Sequence, residues 1–395
     1  MTAFLIAILS IVVLFGTAYF LSNDKKNINY RAVVILLAAQ LVTAFVMLNT
    51  TIGGKVVGAV TDFFSKLMVF GNEGIAFVFG GFEYKNDMPV FFFSVLLLIV
   101  FTSTLLSVLT YLRVLPLMIK YLGGAVSKIT GLPIIESFST VASSIFGDTG
   151  ALIAVKNHIP KMNRNRLFIA TTASMTSVSA SIVGAYMTMI PPEYVLVALP
   201  LNVMSGLMLA SMVAPAQPVE GEKIQIKDMI NEDSLFEAIG NGAIDGMKVA
   251  GIVGAMLIAY ISLIAMVNFA LTETIGTDLT TIMGYILSPV AWLMGVPANE
   301  MVRAGGVMGT KIISNEFVAM LGFKEMIPAL SPKTVGVVSA FLVSFANFSS
   351  IGIIIGTVQA IDEKQSSMVA KFGLKMLFVA TMASVLTATV VGLFI

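Results

Sequence analysis

Cysteine is absent from this chain, and histidine occurs once, at His158. That excludes disulfide frameworks, thiolate zinc sites, iron–sulfur clusters and cysteine nucleophiles, and it leaves no histidine pair to hold a metal or relay a proton. Charge is almost as scarce. Asp, Glu, Lys and Arg make up 11% of the 395 residues, less than half the roughly 25% usual in a soluble domain. With 23 basic side chains against 22 acidic ones, neither sign is in surplus to attract nucleic acid or a charged protein. No G-x-x-x-x-G-K-[ST] loop is present, which speaks against an ATP-driven pump. No nucleophile–base pair is visible, so the chain does not read as an enzyme. What it has in abundance is apolar surface: hydrophobic residues are 57% of the sequence and mean hydropathy is +0.95. These figures describe an all-α polytopic membrane protein.

A helix needs about 20 apolar residues to cross a bilayer core of about 30 Å. Charge-poor stretches at 1–23, 32–54, 88–112, 167–192, 194–219, 249–272, 334–361 and 376–395 supply eight spanning candidates. A ninth, 279–299, is interrupted by Ser288-Pro289 and Pro297 and reads as an interfacial or lying helix anchored by Trp292. Residues 56–70 and 113–130 read as amphipathic helices on the membrane surface. Lys25, Lys26 and Arg31 follow the first stretch, so the positive-inside rule puts that loop in the cytoplasm and both termini outside. Arg113, Lys120, Lys128, Lys156, Lys161, Arg164 and Arg166 then fall inside, as do Lys364, Lys371 and Lys375. Arg303, Lys311, Lys324 and Lys333 break the rule.

Two apolar segments carry a polar knot. Residues 129–155 contain Ser143-Ser144-Ile145-Phe146-Gly147-Asp148-Thr149-Gly150, and residues 304–323 contain Lys311-Ile312-Ile313-Ser314-Asn315-Glu316. A carboxylate at the centre of a spanning helix costs about 2.5–3.5 kcal/mol on insertion scales. Irregular backbone at that depth is tolerated only inside protein or beside a cavity. Both segments therefore read as re-entrant helical hairpins. An offset of 168 residues carries Asp148 onto Glu316, Ile159-Pro160 onto Ile327-Pro328, Ser179 onto Asn347, Ser181 onto Ser349 and Gly184 onto Gly352. Each unit is a hairpin, an Ile-Pro break and a span with a polar interruption, at 174–181 in the first and 344–350 in the second. The orientation above makes the repeat inverted. Paired, interrupted segments in inverted units point to a secondary transporter with its site at the repeat interface.

Unwound backbone in lipid frees N–H and C=O groups that side chains or a ligand must satisfy. Asp148 and Glu316 are the charged acceptors of such a site, unless Glu316 simply pairs with Lys311, five residues away. Asn347, Ser349 and Ser350 serve either a ligand or interhelical hydrogen bonds; Ser177 and Ser181 also suit a small-residue packing face. Phe345 is one of 27 phenylalanines and needs no special role, and the 25 methionines read as gap fillers and lipid-facing bulk. His158 reads as structural or surface. Glu136 and Asp245 are expected near the cytoplasmic interface, with Asp245 paired to Lys248 at i, i+3 spacing.

The sequence resembles the concentrative nucleoside transporters, the bacterial NupC-type members most closely, over essentially its whole length. The motifs are residues 12–31 (VVLFGTAYFLSNDKKNINYR), 179–189 (SASIVGAYMTM), 314–320 (SNEFVAM) and 344–352 (SFANFSSIG). The resemblance implies eight spanning helices with two re-entrant hairpins, a homotrimer, and nucleoside uptake by cation symport, with a transport domain moving elevator-like against a scaffold. By motif, Glu316, Asn347 and Ser350 match the ribose-binding set, and Asp148, Thr149, Ile182 and Phe345 the base side. The family's first tip reads G-[QN]-[ST]-E, whereas this chain has Gly147-Asp148-Thr149-Gly150. An ionised Asp only accepts hydrogen bonds, which favours donor edges such as guanine N1–H/N2–H₂ or cytosine N4–H₂. Positions matching the coupling-ion site are Ser143, Phe146, Ser177 and Val178. Ser143 stands where sodium-coupled relatives have Asn, and proton-coupled members also have Ser there. This favours protons over sodium, with Asp148 or Glu316 titrating.

The resulting expectation is a multi-pass proton/nucleoside symporter of a bacterial cytoplasmic (inner) membrane, in contact with lipid, without cofactor or nucleic acid. Residues 1–128 form scaffold and interfacial helices, 129–219 the first repeat unit, 220–300 a cytoplasmic loop, a long span and an interfacial helix, and 301–395 the second repeat unit and last span. A nucleobase or modified nucleoside is the alternative substrate. A channel or receptor using the same cavity is the alternative class.

Overall fold

The structure is a computed structural model that describes residues 2–80, 90–230 and 232–395. Regular structure among them is helical throughout. The chain runs α1 (Thr2–Leu21), α2 (Tyr30–Asn49), α3 (Thr51–Phe79), α4 (Leu98–Tyr111), α5 (Val114–Thr130) and α6 (Ile134–Ala154). It continues with α7 (Arg164–Met175), α8 (Ala180–Met187), α9 (Pro192–Val213), α10 (Leu235–Ile275) and α11 (Leu279–Leu293). The last five are α12 (Met301–Ile313), α13 (Glu316–Met326), α14 (Pro332–Leu342), α15 (Phe348–Ile361) and α16 (Glu363–Gly392).

Seven helical stretches among the described residues are long and apolar enough to cross a membrane: Phe4–Leu21, Tyr30–Asn49, Phe92–Tyr111, Arg164–Met187, Pro192–Val213, Leu235–Ile275 and Glu363–Gly392. They account for seven of the eight expected spans; Met1, Met88 and Pro89 of the expected stretches lie outside the described residues. The eighth, 334–361, divides into α14 and α15, neither of which is long enough alone. Its polar interruption is a true break in the helix, and the break belongs to the site described below. The stretch 113–130 is helical as α5, and the one at 56–70 is part of a 29-residue helix, α3.

Helix α10 has 41 residues, which at 1.5 Å per residue is roughly 60 Å, about twice a hydrocarbon core. Its first turns, with Glu237, Asp245 and Lys248, therefore extend beyond any spanning portion. It packs on α4 at Gly242 and Gly246, where an added Cβ would fall 2.7 Å from Thr104 Cα and 2.6 Å from Val100 Cα. Small residues let backbones meet at that range. The stretch 279–299 forms α11 over Leu279–Leu293, which runs closely packed along α12 through Gly284, Gly305, Gly306 and Gly309. The centre of the molecule is built from α7, α9, α14 and α16; α1, α2 and α10 expose most of their surface.

The 168-residue offset holds for the backbone as well as for the motifs. It carries the 3-10 turn at Ile159 onto the one at Ile327, the cap Asn163 onto Ser331, and the cap Ser179 onto Asn347. It likewise carries Asp148, just after the interruption in α6, onto Glu316, the first residue of α13. Each unit is also tied at its base by a carboxylate. Glu136, fully buried, pairs with Arg166 through Nε and through Nη2 at 3.1 Å, and Glu222 of the following loop meets the same guanidinium twice at 2.7 Å. At the second unit Glu300, the residue just before it, accepts hydrogen bonds from Ser331 N–H at 3.0 Å, from Ser331 Oγ at 2.7 Å and from Thr334 Oγ1.

Candidate functional site

Four helix starts meet around one cavity of about 690 Å³. They are the second arm of α6, beginning at Asp148, and the N-termini of α8, α13 and α15. Each of the last three is capped by a polar side chain that accepts from a backbone N–H. Ser179 Oγ takes Ser181 N–H at 3.3 Å, Asn315 Oδ1 takes Val318 N–H at 3.0 Å, and Asn347 Oδ1 takes Ser350 N–H at 2.9 Å. Gly147, Asp148, Ser179, Asn315, Glu316 and Asn347 all line the cavity. Helix N-termini carry partial positive charge, so four of them turned on one space suit two buried carboxylates and a ligand rich in acceptors.

Glu316 is the hub. Tyr186 Oη donates to its Oε1 at 2.9 Å and Asn347 Nδ2 to its Oε2 at 3.0 Å. A carboxylate has about four acceptor positions, so about two remain for ligand hydroxyls. Asn347 Oδ1 is fully used, accepting also from Ser349 Oγ at 2.7 Å and Ser350 Oγ at 3.0 Å. Asp148 accepts from Thr149 N–H at 2.7 Å. The half-buried ring of Phe345 faces the turn of α6: a Cβ added at Gly147 would lie 3.5 Å from it and 3.2 Å from Ser179 Cβ.

Gly147 has φ 75° and ψ −174°, a conformation essentially restricted to glycine. Gly147→Ala is expected to cost about 1–3 kcal/mol of local strain and to lower solute uptake at least about tenfold. Uptake by the variant at the wild-type rate would show that the tip tolerates the side chain. Gly150 is restricted for another reason, since its added Cβ would fall 2.5 Å from Phe146 Cβ. A side chain at that position requires a shift of the turn.

Of the residues singled out from sequence, Phe146, Asp148, Thr149, Ile182, Glu316, Phe345, Asn347 and Ser350 line the cavity together. Ser143, Ser177 and Val178 do not; all three are buried, Ser143 Oγ donates to Thr140 O at 2.7 Å, and Ser177 Oγ has no hydrogen-bond partner among the described residues. Lys311 does not pair with Glu316. Its ammonium donates to Phe341 O at 2.5 Å and Ser344 Oγ at 2.6 Å. The helix break at Ser314 and Asn315 stands between the two residues and cancels the neighbourhood that their spacing implied. Asp245 and Lys248 pair at 3.0 Å on the surface, as expected, and both line the outer part of the cavity.

Two residues were missed. Tyr186 carries a phenol into α8, and a hydroxyl in an apolar span was the available signal. Asn202 is the one amide of α9. Its side-chain Nδ2 donates to Val343 O in the second break, and its backbone O accepts from Thr176 Oγ1 in the first at 3.2 Å.

Three stretches of the chain match family models. Residues 9–82 match the Na⁺ dependent nucleoside transporter N-terminus, residues 92–193 a model described as nucleoside recognition, and residues 194–392 the Na⁺ dependent nucleoside transporter C-terminus. The purine nucleoside transport protein NupG of Bacillus subtilis (strain 168) is 36% identical over 395 residues, 99% of this chain and 99% of that protein. Among solved structures, CNTnw in an inward-facing substrate-bound state is similar with a TM-score of 0.92 at 31% identity, over 100% of both chains. A doubly substituted CNTnw in an outward-facing state gives a TM-score of 0.94 at 31% identity, over 100% of this chain and 98% of the other.

Proposed function

The chain belongs to the concentrative nucleoside transporter family, and we propose that it imports nucleosides, purine nucleosides in preference, in symport with protons. The observation that carries the reading is Glu316 held by Tyr186 and Asn347 at the meeting of four helix starts. The remaining acceptor positions of that carboxylate suit the vicinal hydroxyls of a ribose, with Asn347 and Ser350 beside it. Phe345 offers a face for stacking the base, and Asp148, Thr149 and Ile182 line the base side. Asp148 accepts hydrogen bonds and donates none when ionised, which suits the N1–H and N2–H₂ edge of guanine; the likeness to NupG, a purine nucleoside transport protein, supports a purine.

Ser143, with no amide to offer a metal ion, supports protons as the coupling ion, and Asp148 or Glu316 is the group that takes them up outside and releases them inside. The two units, 129–219 and 301–395, move as a transport domain between the inward- and outward-facing states known for CNTnw, with re-entrant hairpins in inverted orientation. Residues 1–128 and 220–300 frame them. The apolar outer faces of α1, α3 and α10 meet lipid and two further copies in a homotrimer, in a bacterial cytoplasmic membrane with both termini outside.

The test is initial uptake of labelled guanosine by cells lacking their own nucleoside transporters. Unlabelled guanosine and inosine are expected to compete better than uridine and cytidine. Uptake is expected to persist in sodium-free buffer and to collapse with a protonophore. Equal competition by all four would defeat the base assignment, and sodium-dependent uptake indifferent to the protonophore would defeat the proton assignment.

A further inference from the structure

The four breaks leave four helix starts at the cavity, and they also leave helix ends behind it. Starts attract negative charge and ends attract positive charge. Behind the second break the positive charge is Lys311. Its side chain is fully buried. Its Nζ donates to Phe341 O, among the last carbonyls of α14, and to Ser344 Oγ in the break. It also lies 4.2 Å from the centroid of the Phe341 ring. Among the described residues no carboxylate comes within ion-pair distance of it. The charge is met by a carbonyl oxygen, a hydroxyl oxygen and a ring face. The two oxygens are of the kind that also holds a bare monovalent cation.

The repeat identifies the counterpart. The 168-residue offset carries Ser143 onto Lys311, Ala173 onto Phe341 and Thr176 onto Ser344. In the first unit the helix-end carbonyl of Ala173 is met by a neutral donor, Thr176 Oγ1 at 2.7 Å, and Ser143 turns back onto its own helix. One unit thus carries a covalently attached cation where the other has none.

We propose that the Lys311 ammonium is a tethered cation for the second broken helix, and that a protein deprived of it takes up a free monovalent cation in the same place. The second broken helix then needs no free metal cation of its own, because the cation at its end is part of the chain. This inference rests on the transport reading above.

The experiment uses the full-length protein in proteoliposomes, with Lys311→Ser, which installs the residue of the first unit, and Lys311→Met, which fills the volume without charge. In choline buffer at fixed pH both variants are expected to lose guanosine uptake at least about 30-fold, as befits lost hydrogen bonds from a buried charge. Ammonium, methylammonium or sodium is expected to restore Lys311→Ser but not Lys311→Met. Under sodium rescue the charge moved per nucleoside is expected to rise by one. Wild-type uptake by Lys311→Ser without added cation would overturn the proposal. So would uptake that no cation restores in a variant that still binds guanosine. Should Lys311→Ser not survive extraction, its yield from membranes is the readout; recovery with ammonium supports the proposal and no recovery overturns it. A wild-type protein that moves no nucleoside would instead defeat the transport reading.

Discussion

Glu316→Gln is expected to lower guanosine uptake at limiting concentration by about 150-fold. Hydrogen bonds to a charged acceptor contribute about 1.5–3 kcal/mol each, and about two acceptor positions of this carboxylate remain after Tyr186 and Asn347 have taken theirs. Losing both charged contacts costs roughly 3 kcal/mol, allowing for an amide oxygen that still accepts weakly. The amide also presents donors where Asn347 Nδ2 already donates, so the side chain must turn and the tip must adjust around it. Tyr186→Phe removes only one restraint and is expected to cost about tenfold. Initial rates across a guanosine concentration series separate the cases. Uptake by Glu316→Gln within about twofold of wild type would remove Glu316 from contact with substrate.

Arg166→Met is expected to produce the largest loss of stability. Glu136 is fully buried and its carboxylate is held on both oxygens by the Arg166 guanidinium. Removing one partner of a buried pair leaves an uncompensated charge, which costs about 3–5 kcal/mol. Replacing both partners is much milder, so Glu136→Gln combined with Arg166→Met is expected to recover most of the loss. Glu222 is more exposed, and Glu222→Gln is expected to cost under about 1 kcal/mol. Heating detergent-extracted protein and following the monodisperse fraction ranks the four forms. A single Arg166→Met variant that survives as well as wild type would show that the pair contributes nothing.

The fold was legible where one physical signal dominated. Long apolar stretches have a single outcome in lipid, so seven spans could be read directly. The 168-residue repeat was legible from side chains alone because both units need polar groups at the same points. The structure then puts its caps and 3-10 turns at the same offset.

What was not legible depends on distances across the chain. Lys311 sits near Glu316 in sequence, and only the geometry of the break sends it to Phe341 instead. The same holds for two more of the cations that broke the positive-inside rule. Lys324 Nζ donates to Thr188 O at the end of α8, and Lys333 Nζ to Gly392 O at the end of α16. Like Lys311 they serve helix C-termini, where cations are stabilised, and this use is invisible to a count of loop charges. Asn202 could be noticed as a lone amide in an apolar span, yet neither of its partners could be guessed.

Asn202 has a consequence for how such a molecule can change over generations. One residue closes backbone in both breaks, at Thr176 through its own carbonyl and at Val343 through its amide. A change at position 202 is felt in both breaks at once, and a change of backbone in either break must still accommodate the same amide. The two breaks are thereby coupled through one side chain, and neither can change its backbone at this point independently of the other.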